Sequence, residues 1–304
     1  MASRIRYARL TTERANPRSR ALDLLRPGQI AALMNREDLR AVRAVGRVRA
    51  DIASAVSVVV GALRGGGRLF FVGAGTSGRL GVLEAAECPP TFGTPPRLVQ
   101  GIIAGGRGAV FRSREGAEDD AAAARRAVRA RVRRGDVVVG ISASGVTPFA
   151  RAALDTARRR GARTVLISCN ATGIGRAPAD VRIVPATGPE VLAGSTRLKA
   201  GTATKLVLNT LTTAAMTGLG RVYGNRMVDL QPRSAKLRER ALRLIGEVAG
   251  VSRARALRAF EASGRQVRVA IVMAWSRRDA AEAARAVRAA GGSLRVALQK
   301  LRRK

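Results

Sequence analysis

The sequence contains no histidine, so the commonest general base and metal ligand are missing from any site that the chain can build. A Ser-His-Asp triad is excluded for the same reason. Acid–base chemistry must come from carboxylates, Lys, Tyr or Cys, or from groups of the substrate. Cysteine is also rare, and Cys88 and Cys169 are too few for a disulfide framework or a zinc site. We interpret both as buried thiols in a reducing, cytoplasmic setting.

Long apolar runs and aromatic residues are scarce as well. No apolar run reaches the length of a membrane-spanning helix, and the basic amino terminus lacks the apolar core of a signal peptide, so we expect no membrane partner. Aromatic residues make up 3% of the chain. The core must therefore be built mainly from Ala, Val, Leu and Ile, a composition that suits helices packed on a sheet.

Negative charge is sparse, because 21 Asp and Glu stand against 56 Lys and Arg, which gives a formal net charge of +35. Such a charge can indicate binding to nucleic acid or to an anionic membrane surface. The arginines, however, recur within alanine-rich helical stretches around Arg125, Arg158 and Arg285, without a dense basic block and interleaved aromatics. This distribution favours solvated helix faces, and we expect no specific nucleic-acid partner.

Strand and helix patterns alternate through the middle of the chain. Strands are predicted at residues 68–72, 98–103, 137–141, 164–168 and 181–184, and helices at 117–131, 148–160 and 199–217. Strands that alternate with helices of this length predict an α/β fold, a three-layer doubly wound parallel sheet with helices on both faces. Ligands of such folds bind at the carboxyl ends of the strands.

Helical patterns flank this region on both sides. We predict an amino-terminal helical arm over residues 1–54, the α/β domain over 55–224, and a small carboxyl-terminal helical domain, the cap, over 225–304. In the cap, helices are predicted at residues 234–248, 252–262 and 279–290, separated by Gly250, Gly264 and the pair Gly291-Gly292.

A glycine-rich turn follows the first predicted strand. Residues 73–78 read Gly-Ala-Gly-Thr-Ser-Gly and open a helix near Thr76 and Ser77. Free N–H groups and the positive end of the helix dipole favour an anion at such a place. Glycines here often serve only close packing, so this turn by itself leaves both interpretations open.

The turn after the strand at 137–141 is more specific. It carries three hydroxyls, those of Ser142, Ser144 and Thr147, at the start of the next helix. An N-cap explains one hydroxyl but not three, so we predict that this turn binds a phosphomonoester. A third group also opens a helix after a strand, namely Ser195, Thr196 and Lys199. Its lysine is compatible with an anion contact or with a solvated helix face.

Two acidic positions are notable in so basic a chain. Glu87 is predicted to end the first helix of the α/β region, because Cys88 precedes Pro89 and is biased toward extended geometry. Glu118 lies in an acidic run where a helix begins. Helix dipoles favour acids at that position in any protein, so a catalytic role for Glu118 does not follow from its position alone.

Together these segments resemble the signatures of the N-acetylmuramic acid 6-phosphate etherase family, whose core is a sugar isomerase (SIS) domain. The matching segments are residues 73–81, 87–92, 115–119, 195–202 and 222–225. The resemblance extends from about Thr12 to the carboxyl terminus. It implies an SIS fold for the α/β domain, a UBA-like cap, and a homodimer with its sites near the subunit interface.

The activity that the resemblance implies is cleavage of the ether between the D-lactyl group and carbon 3 of the amino-sugar phosphate, without metal or other cofactor. By the resemblance, Glu87 protonates the departing lactate and Glu118 is its acid–base partner. Further residues match the substrate-binding groups of the family, namely Thr76, Ser77, Ser142, Ser144, Thr147, Ser195, Thr196 and Lys199. If the helix from Ser77 to Glu87 is continuous, its ends lie about 15 Å apart, so we expect the second turn to hold the phosphate.

The chain departs from the family pattern at two positions. Val146 stands where an arginine is common, and Phe149 where a tyrosine is common. The loss of a cation beside the phosphate affects the expected affinity, for which Arg79, Lys199 and the general positive charge could compensate.

Two other functions compete with the lyase. The first is a regulator on the same fold that senses a sugar phosphate without converting it, as the related glucokinase regulatory protein suggests. Both Glu87 and Glu118 argue against it, because sensing needs neither an acid nor a base. The second is a DNA-binding regulator with an SIS sensor domain. It needs a helix-turn-helix module, and residues 1–50 show no tight turn between two compact amphipathic helices.

Overall fold

A computed structural model of the protein describes residues 10–172, 177–230 and 234–302. The first nine residues of the predicted arm, and residues 231–233 and 303–304 of the predicted cap, lie outside the described residues. By its internal contacts the chain forms two compact units. The first comprises the ranges Met1–Ala86 and Pro96–Thr212, and the second comprises Glu87–Pro95 and Thr213–Lys304.

The first unit contains a parallel sheet of five strands. The strands are β1 (Leu69–Gly73), β2 (Val99–Ile103), β3 (Val137–Ile141), β4 (Arg163–Ile167) and β5 (Val181–Ile183), in the order β2-β1-β3-β4-β5. Every neighbouring pair is parallel. The predicted parallel sheet is confirmed, and each predicted strand agrees with the structure to within one residue at either end. The chain order reverses between β1 and β3, so this is the topological switch point of the sheet.

Helices cover both faces of this sheet. The helices of the first unit are α1 (Pro27–Arg47), α2 (Arg49–Arg64), α3 (Gly75–Phe92), α4 (Ala121–Arg131), α5 (Pro148–Arg159) and α6 (Lys199–Gly218), of which α3 and α6 extend beyond it. On one face, Phe70 and Val138 pack in a cluster with Val128 of α4 and Leu154 of α5. On the other face, Gly81 of α3 lies against Phe71. The strands β1 and β3 are buried at every position, which explains their continuous apolar runs.

The second unit contains a helical bundle. Its helices are α7 (Ala235–Ala249), α8 (Arg253–Ala262), α9 (Val267–Ser276), α10 (Ala280–Ala289) and α11 (Leu294–Arg302), and a short hairpin of β6 (Val222–Tyr223) and β7 (Arg226–Met227) precedes them. The three predicted cap helices are present. Helix α9 was predicted only as an apolar run, and its residues Val269–Val272 are buried because four other helices pack around it. None of the described helices is long and apolar enough to cross a bilayer.

The predicted end of α3 at Glu87 is wrong. The helix continues through Pro89 and Pro90 and ends at Phe92, where Gly93 follows with a φ of +61°. The bias of a residue before proline toward extended geometry is local, and here burial of Cys88 and Phe92 outweighs it. Each proline removes one helical N–H donor, and the helix nevertheless continues for two residues beyond Pro90.

The start of α3 rests directly on the end of β1, and only glycine fits at this contact. A Cβ on Gly78 would lie 2.6 Å from the carbonyl oxygen of Gly73 and 2.6 Å from Cγ1 of Ile103. The substitution Gly78→Ala must therefore displace backbone at the mouth of the sheet. We expect it to lower the free energy of unfolding by about 1–3 kcal/mol, measured by urea unfolding of the full chain.

A matched control for this substitution lies in α1. A Cβ on Gly46 would meet no atom within 4 Å, so Gly46→Ala is expected to be neutral or to stabilise by up to about 1 kcal/mol. Equal effects of the two substitutions would contradict the packing argument for Gly78.

Candidate active site

A cavity of about 510 Å³ opens at the carboxyl ends of β1 and β3, the switch point of the sheet. Its walls come from four parts of the first unit, namely residues 74–77, residues 143–148, the loop residues 194 and 196, and the acidic turn at 118–119. Leu10 and Glu13 complete the lining. Open doubly wound sheets bind ligands in this position, so we take the cavity as the candidate active site.

Three hydroxyls shape the loop after β3. Ser142 is buried, and its Oγ accepts hydrogen bonds from the backbone N–H groups of Gly145 at 3.0 Å and Thr147 at 3.4 Å. The Oγ atom of Ser142 also lies 2.8 Å from Oγ1 of Thr147. Ser142 is therefore occupied in holding the loop, whereas Ser144 and Thr147 are half-buried and line the cavity.

Helix N-termini meet the cavity at two places. Helix α5 begins at Pro148 beside Ser144 and Thr147, and α3 begins at Gly75 with Thr76 and Ser77 on the cavity wall. The first N–H groups of a helix have no partner within the helix, and the dipole adds partial positive charge there. Four of the predicted binding residues therefore share one cavity with two anion-favouring helix starts.

The residues of the third predicted group, Ser195, Thr196 and Lys199, do not all lie in the cavity. Thr196 lines the cavity, and Ser195 is half-buried outside the lining. The Lys199 side chain is 2% exposed, and its Nζ lies 2.5 Å from Oε2 of Glu37 on α1. Lys199 does not line the cavity.

Three further side chains contact the Glu37 carboxylate besides Lys199. Arg18 and Arg40 approach Oε1 at 2.7 and 3.2 Å, and Asn16 donates to Oε2 at 3.1 Å. Burial alone would raise the pKa of Glu37, but hydrogen bonds from Arg18 and Lys199, the charge of Lys199 and the bond from Asn16 together lower that pKa to about 2. Burial is also the largest influence on Glu190, whose raised pKa persists although its carboxylate accepts the N–H groups of Lys199 and Ala200.

Glu37 should make stability depend on pH in the acid range. Its folded pKa of about 2 is below the ordinary value of 4.5, so its contribution is present above about pH 5 and is lost as pH falls toward 2. We expect the melting temperature of the wild type to fall more steeply between pH 5 and pH 3 than that of Glu37→Gln. Parallel melting curves for the two proteins across this range would contradict the assignment.

The acidic residues just before α4 have different roles. Asp120 caps the helix, because its Oδ1 accepts the N–H of Ala123 at 2.7 Å. Glu118 lies in the 3-10 turn Ala117–Asp119 and is exposed on the cavity, together with Asp119. The predicted helix over 117–131 is thus a 3-10 turn followed by α4. Since Asp120 already supplies the cap, the cavity position of Glu118 is not explained by capping.

Glu87 lies elsewhere on the chain. It is exposed on α3, belongs to the second unit, and is not part of the cavity lining. One turn earlier on α3, Glu84 is buried, and its carboxylate accepts hydrogen bonds from Oγ1 of Thr212 at 2.5 Å and Nζ of Lys205 at 2.6 Å. The two neighbouring glutamates of α3 therefore have different environments.

The charge of the cavity opposes that of the whole chain. Among the described residues that line it, three are acidic, Glu13, Glu118 and Asp119, and none is Lys or Arg. Val146 also lines it and is buried. An anion in this cavity would therefore be held by hydroxyls, backbone N–H groups and helix dipoles rather than by a cation on the lining.

Sequence reasoning missed Leu10 and Glu13 as cavity residues. They precede the first strand by more than fifty positions, in a polar segment that carries no glycine turn and no apolar period. Their place depends on long-range contacts, such as the bond from the N–H of Gly194 to the carbonyl oxygen of Thr12 at 3.2 Å.

Many doubly wound proteins share this strand order, and matches to two family models identify the chain as an SIS-domain protein. The SIS domain family matches residues 117–214, and the family described as the glucokinase regulatory protein N-terminal SIS domain matches residues 51–158.

The whole chain also matches proteins named N-acetylmuramic acid 6-phosphate etherase. The relative from Gloeobacter violaceus is 54% identical over 296 residues, which cover 97% of this chain and 96% of the relative. The relative from a Picosynechococcus species is 50% identical over 293 residues, which cover 95% and 97%. The chain belongs to the N-acetylmuramic acid 6-phosphate etherase family, and the resemblance found in the sequence is confirmed.

Proposed function

We propose that this enzyme is a carbon–oxygen lyase that cleaves the D-lactyl ether of N-acetylmuramic acid 6-phosphate, giving N-acetylglucosamine 6-phosphate and D-lactate. The observation that carries the proposal is the identity of 54% over nearly the full length of a relative named for this activity. The cavity supports it, because Glu118 shares one enclosure with the hydroxyls of Ser144 and Thr147.

The phosphate is proposed to bind in the loop after β3. Ser144 and Thr147 offer hydroxyl donors there, and the start of α5 offers free N–H groups. Ser142 stabilises the conformation of this loop by accepting hydrogen bonds from its backbone N–H groups. Since no cation lines the cavity among the described residues, neutral donors must supply most of the binding energy for the phosphate.

The chemical step is proposed as elimination followed by addition of water. In the open-chain sugar the aldehyde acidifies the proton on carbon 2, and Glu118 as general base removes that proton. The electron pair forms the double bond between carbons 2 and 3, and the C–O bond to lactate breaks. Glu87 as general acid protonates the departing lactate oxygen. Water then adds its oxygen to carbon 3 and gives its proton to Glu87, while carbon 2 regains a proton from Glu118, whose carboxyl proton exchanges with solvent; this restores the sugar and both glutamates.

The position of Glu87 supports a homodimer with the site near its interface. Glu87 is exposed and outside the cavity lining, so a second subunit offers a way to complete the acid–base pair. Leu39 and Val42, three residues apart on α1, are 49% and 51% exposed, and their burial would contribute to a subunit interface. We place the enzyme in the cytoplasm, in keeping with its two cysteines, which are buried and not joined in a disulfide.

The experiment is to incubate purified full-length protein with N-acetylmuramic acid 6-phosphate, with and without chelator, and to measure D-lactate by a coupled dehydrogenase. The proposal expects release at a rate that the chelator leaves unchanged. Tight binding of the sugar phosphate without lactate would instead favour a sensing regulator, the function suggested by the match to the glucokinase regulatory protein SIS domain.

A further inference from the structure

An amino-terminal segment, residues 10–19, is fixed along one side of the cavity. We call it the strap. Its contacts reach two separate parts of the first unit. Thr11 Oγ1 donates to Asn170 Oδ1 at 2.9 Å, and in the segment 189–191 the carbonyl oxygens of Pro189 and Val191 accept from Asn16 Nδ2 at 3.2 Å and Ser19 Oγ at 2.7 Å. Leu10, Thr12 and Asn16 are 5% exposed or less. The strap therefore has a defined position, and it places Glu13, an exposed residue, on the lining of the cavity.

Glu13 occupies this position without a cation. Within the described ranges no Lys or Arg forms a salt bridge with it, although the chain carries a net charge of +35. Its Oε1 lies 3.5 Å from the hydroxyl of Thr12, a long contact, and its Oε2 lies 3.3 Å from the position that a Cβ on Gly194 would take. The carboxylate is thus seated beside the loop that carries Thr196, with most of its acceptor capacity open to the cavity.

A carboxylate in such a place restricts which groups of a ligand can bind beside it. It is repelled by the negative charge of a phosphate or of another carboxylate, and it forms no hydrogen bond with an ether oxygen, which has no hydrogen to donate. It accepts strong hydrogen bonds from hydroxyl and amide N–H groups. An amino-sugar phosphate offers such neutral donors between its charged ends. Of the other two acidic residues on the lining, Glu118 already has a proposed role at carbon 2 and Asp119 is its neighbour.

We propose that Glu13 is a substrate-binding residue, which accepts a hydrogen bond from a hydroxyl or acetamido N–H of the sugar and so aligns the sugar over Glu118. This proposal deepens the proposed function and rests on it for the identity of the sugar. It assigns Glu13 to recognition of the sugar and not of the phosphate.

The test compares two probes, N-acetylglucosamine 6-phosphate and inorganic phosphate, by calorimetric titration of the full-length protein. Glu13→Ala is expected to bind the sugar phosphate about 10- to 100-fold more weakly and inorganic phosphate unchanged or slightly more tightly. Glu13→Gln keeps the shape and one acceptor oxygen and should lie between. Asp23→Asn is the matched control, because Asp23 is an exposed acid of the same amino-terminal region, in the turn Leu22–Leu24, outside the cavity.

Several outcomes would overturn the role of Glu13. Unchanged affinity of Glu13→Ala for the sugar phosphate would do so, and so would an equal loss for both probes, which indicates a disturbed cavity. If Glu13→Ala fails to fold, the same comparison of the two probes is made with Glu13→Gln, and unchanged affinity for the sugar phosphate then overturns the proposal. Where lactate is released, Glu13→Ala should raise KM more than it lowers kcat. A wild type that binds the sugar phosphate without releasing lactate would refute the lyase but leave the binding comparison valid, whereas a wild type that binds no sugar phosphate would refute both.

Discussion

Glu118→Gln should release D-lactate about 10²- to 10⁴-fold more slowly than the wild type while still binding N-acetylglucosamine 6-phosphate. Glutamine keeps the size and hydrogen-bonding shape of the side chain but cannot take the proton from carbon 2, and a positioned general base contributes about 10²–10⁴ in rate. Single-turnover assays of lactate release, together with calorimetric titration of the product, separate loss of chemistry from loss of binding.

The control for this substitution lies three residues earlier. Glu115→Gln removes the same charge from the same exposed loop, but Glu115 does not line the 510 Å³ cavity. We expect it to keep nearly full activity. Retention of activity within tenfold by Glu118→Gln, or an equal loss in Glu115→Gln, would mean that the base lies elsewhere.

Lys199→Met is expected to lower the free energy of unfolding by about 3–5 kcal/mol, because it leaves the buried carboxylate of Glu37 without its closest partner. The remaining charged partners of Glu37, Arg18 and Arg40, are 44% and 50% exposed, and they still compensate part of its charge, which favours the lower end of this range. Urea unfolding of the full chain measures the effect. The double variant Lys199→Met with Glu37→Gln should lose less stability than the sum of the two single losses. With both charges removed, neither variant position leaves an unpaired buried charge.

A second lysine on α6 provides the comparison. Lys205 pairs with Glu84 but is 32% exposed, so Lys205→Met should cost less stability than Lys199→Met. The experiment also decides between the interpretations of Lys199 that the sequence left open. A Lys199→Met variant of normal stability that binds the sugar phosphate poorly would assign Lys199 to the substrate instead of the core.

The sheet could be predicted because its determinants are local. Residues 137–141 and the other strands are short apolar runs bounded by turns, and the hydroxyls of Ser144 and Thr147 follow directly from the end of a strand. The rule that parallel strands gather their carboxyl ends at one edge then brings the two helix starts together. Fold and loop positions are thus encoded in segments of about ten residues.

The remaining features depend on distant partners. Lys199 and Glu37 are 162 positions apart, so nothing near Lys199 in the sequence indicates that its charge is buried. Glu13 reaches the cavity only because the strap is fixed by long-range bonds. The end of α3 was mispredicted because a local proline rule does not include the burial of Cys88 and Phe92.

The most direct test of the central claim is the reaction of N-acetylmuramic acid 6-phosphate with wild-type protein in deuterium oxide, analysed by mass spectrometry and NMR of the sugar product. The account predicts D-lactate together with N-acetylglucosamine 6-phosphate that carries one solvent deuterium at carbon 2, because that carbon loses and regains a proton. Lactate release with no deuterium at carbon 2 would contradict elimination through Glu118, and binding without any lactate would contradict the lyase itself.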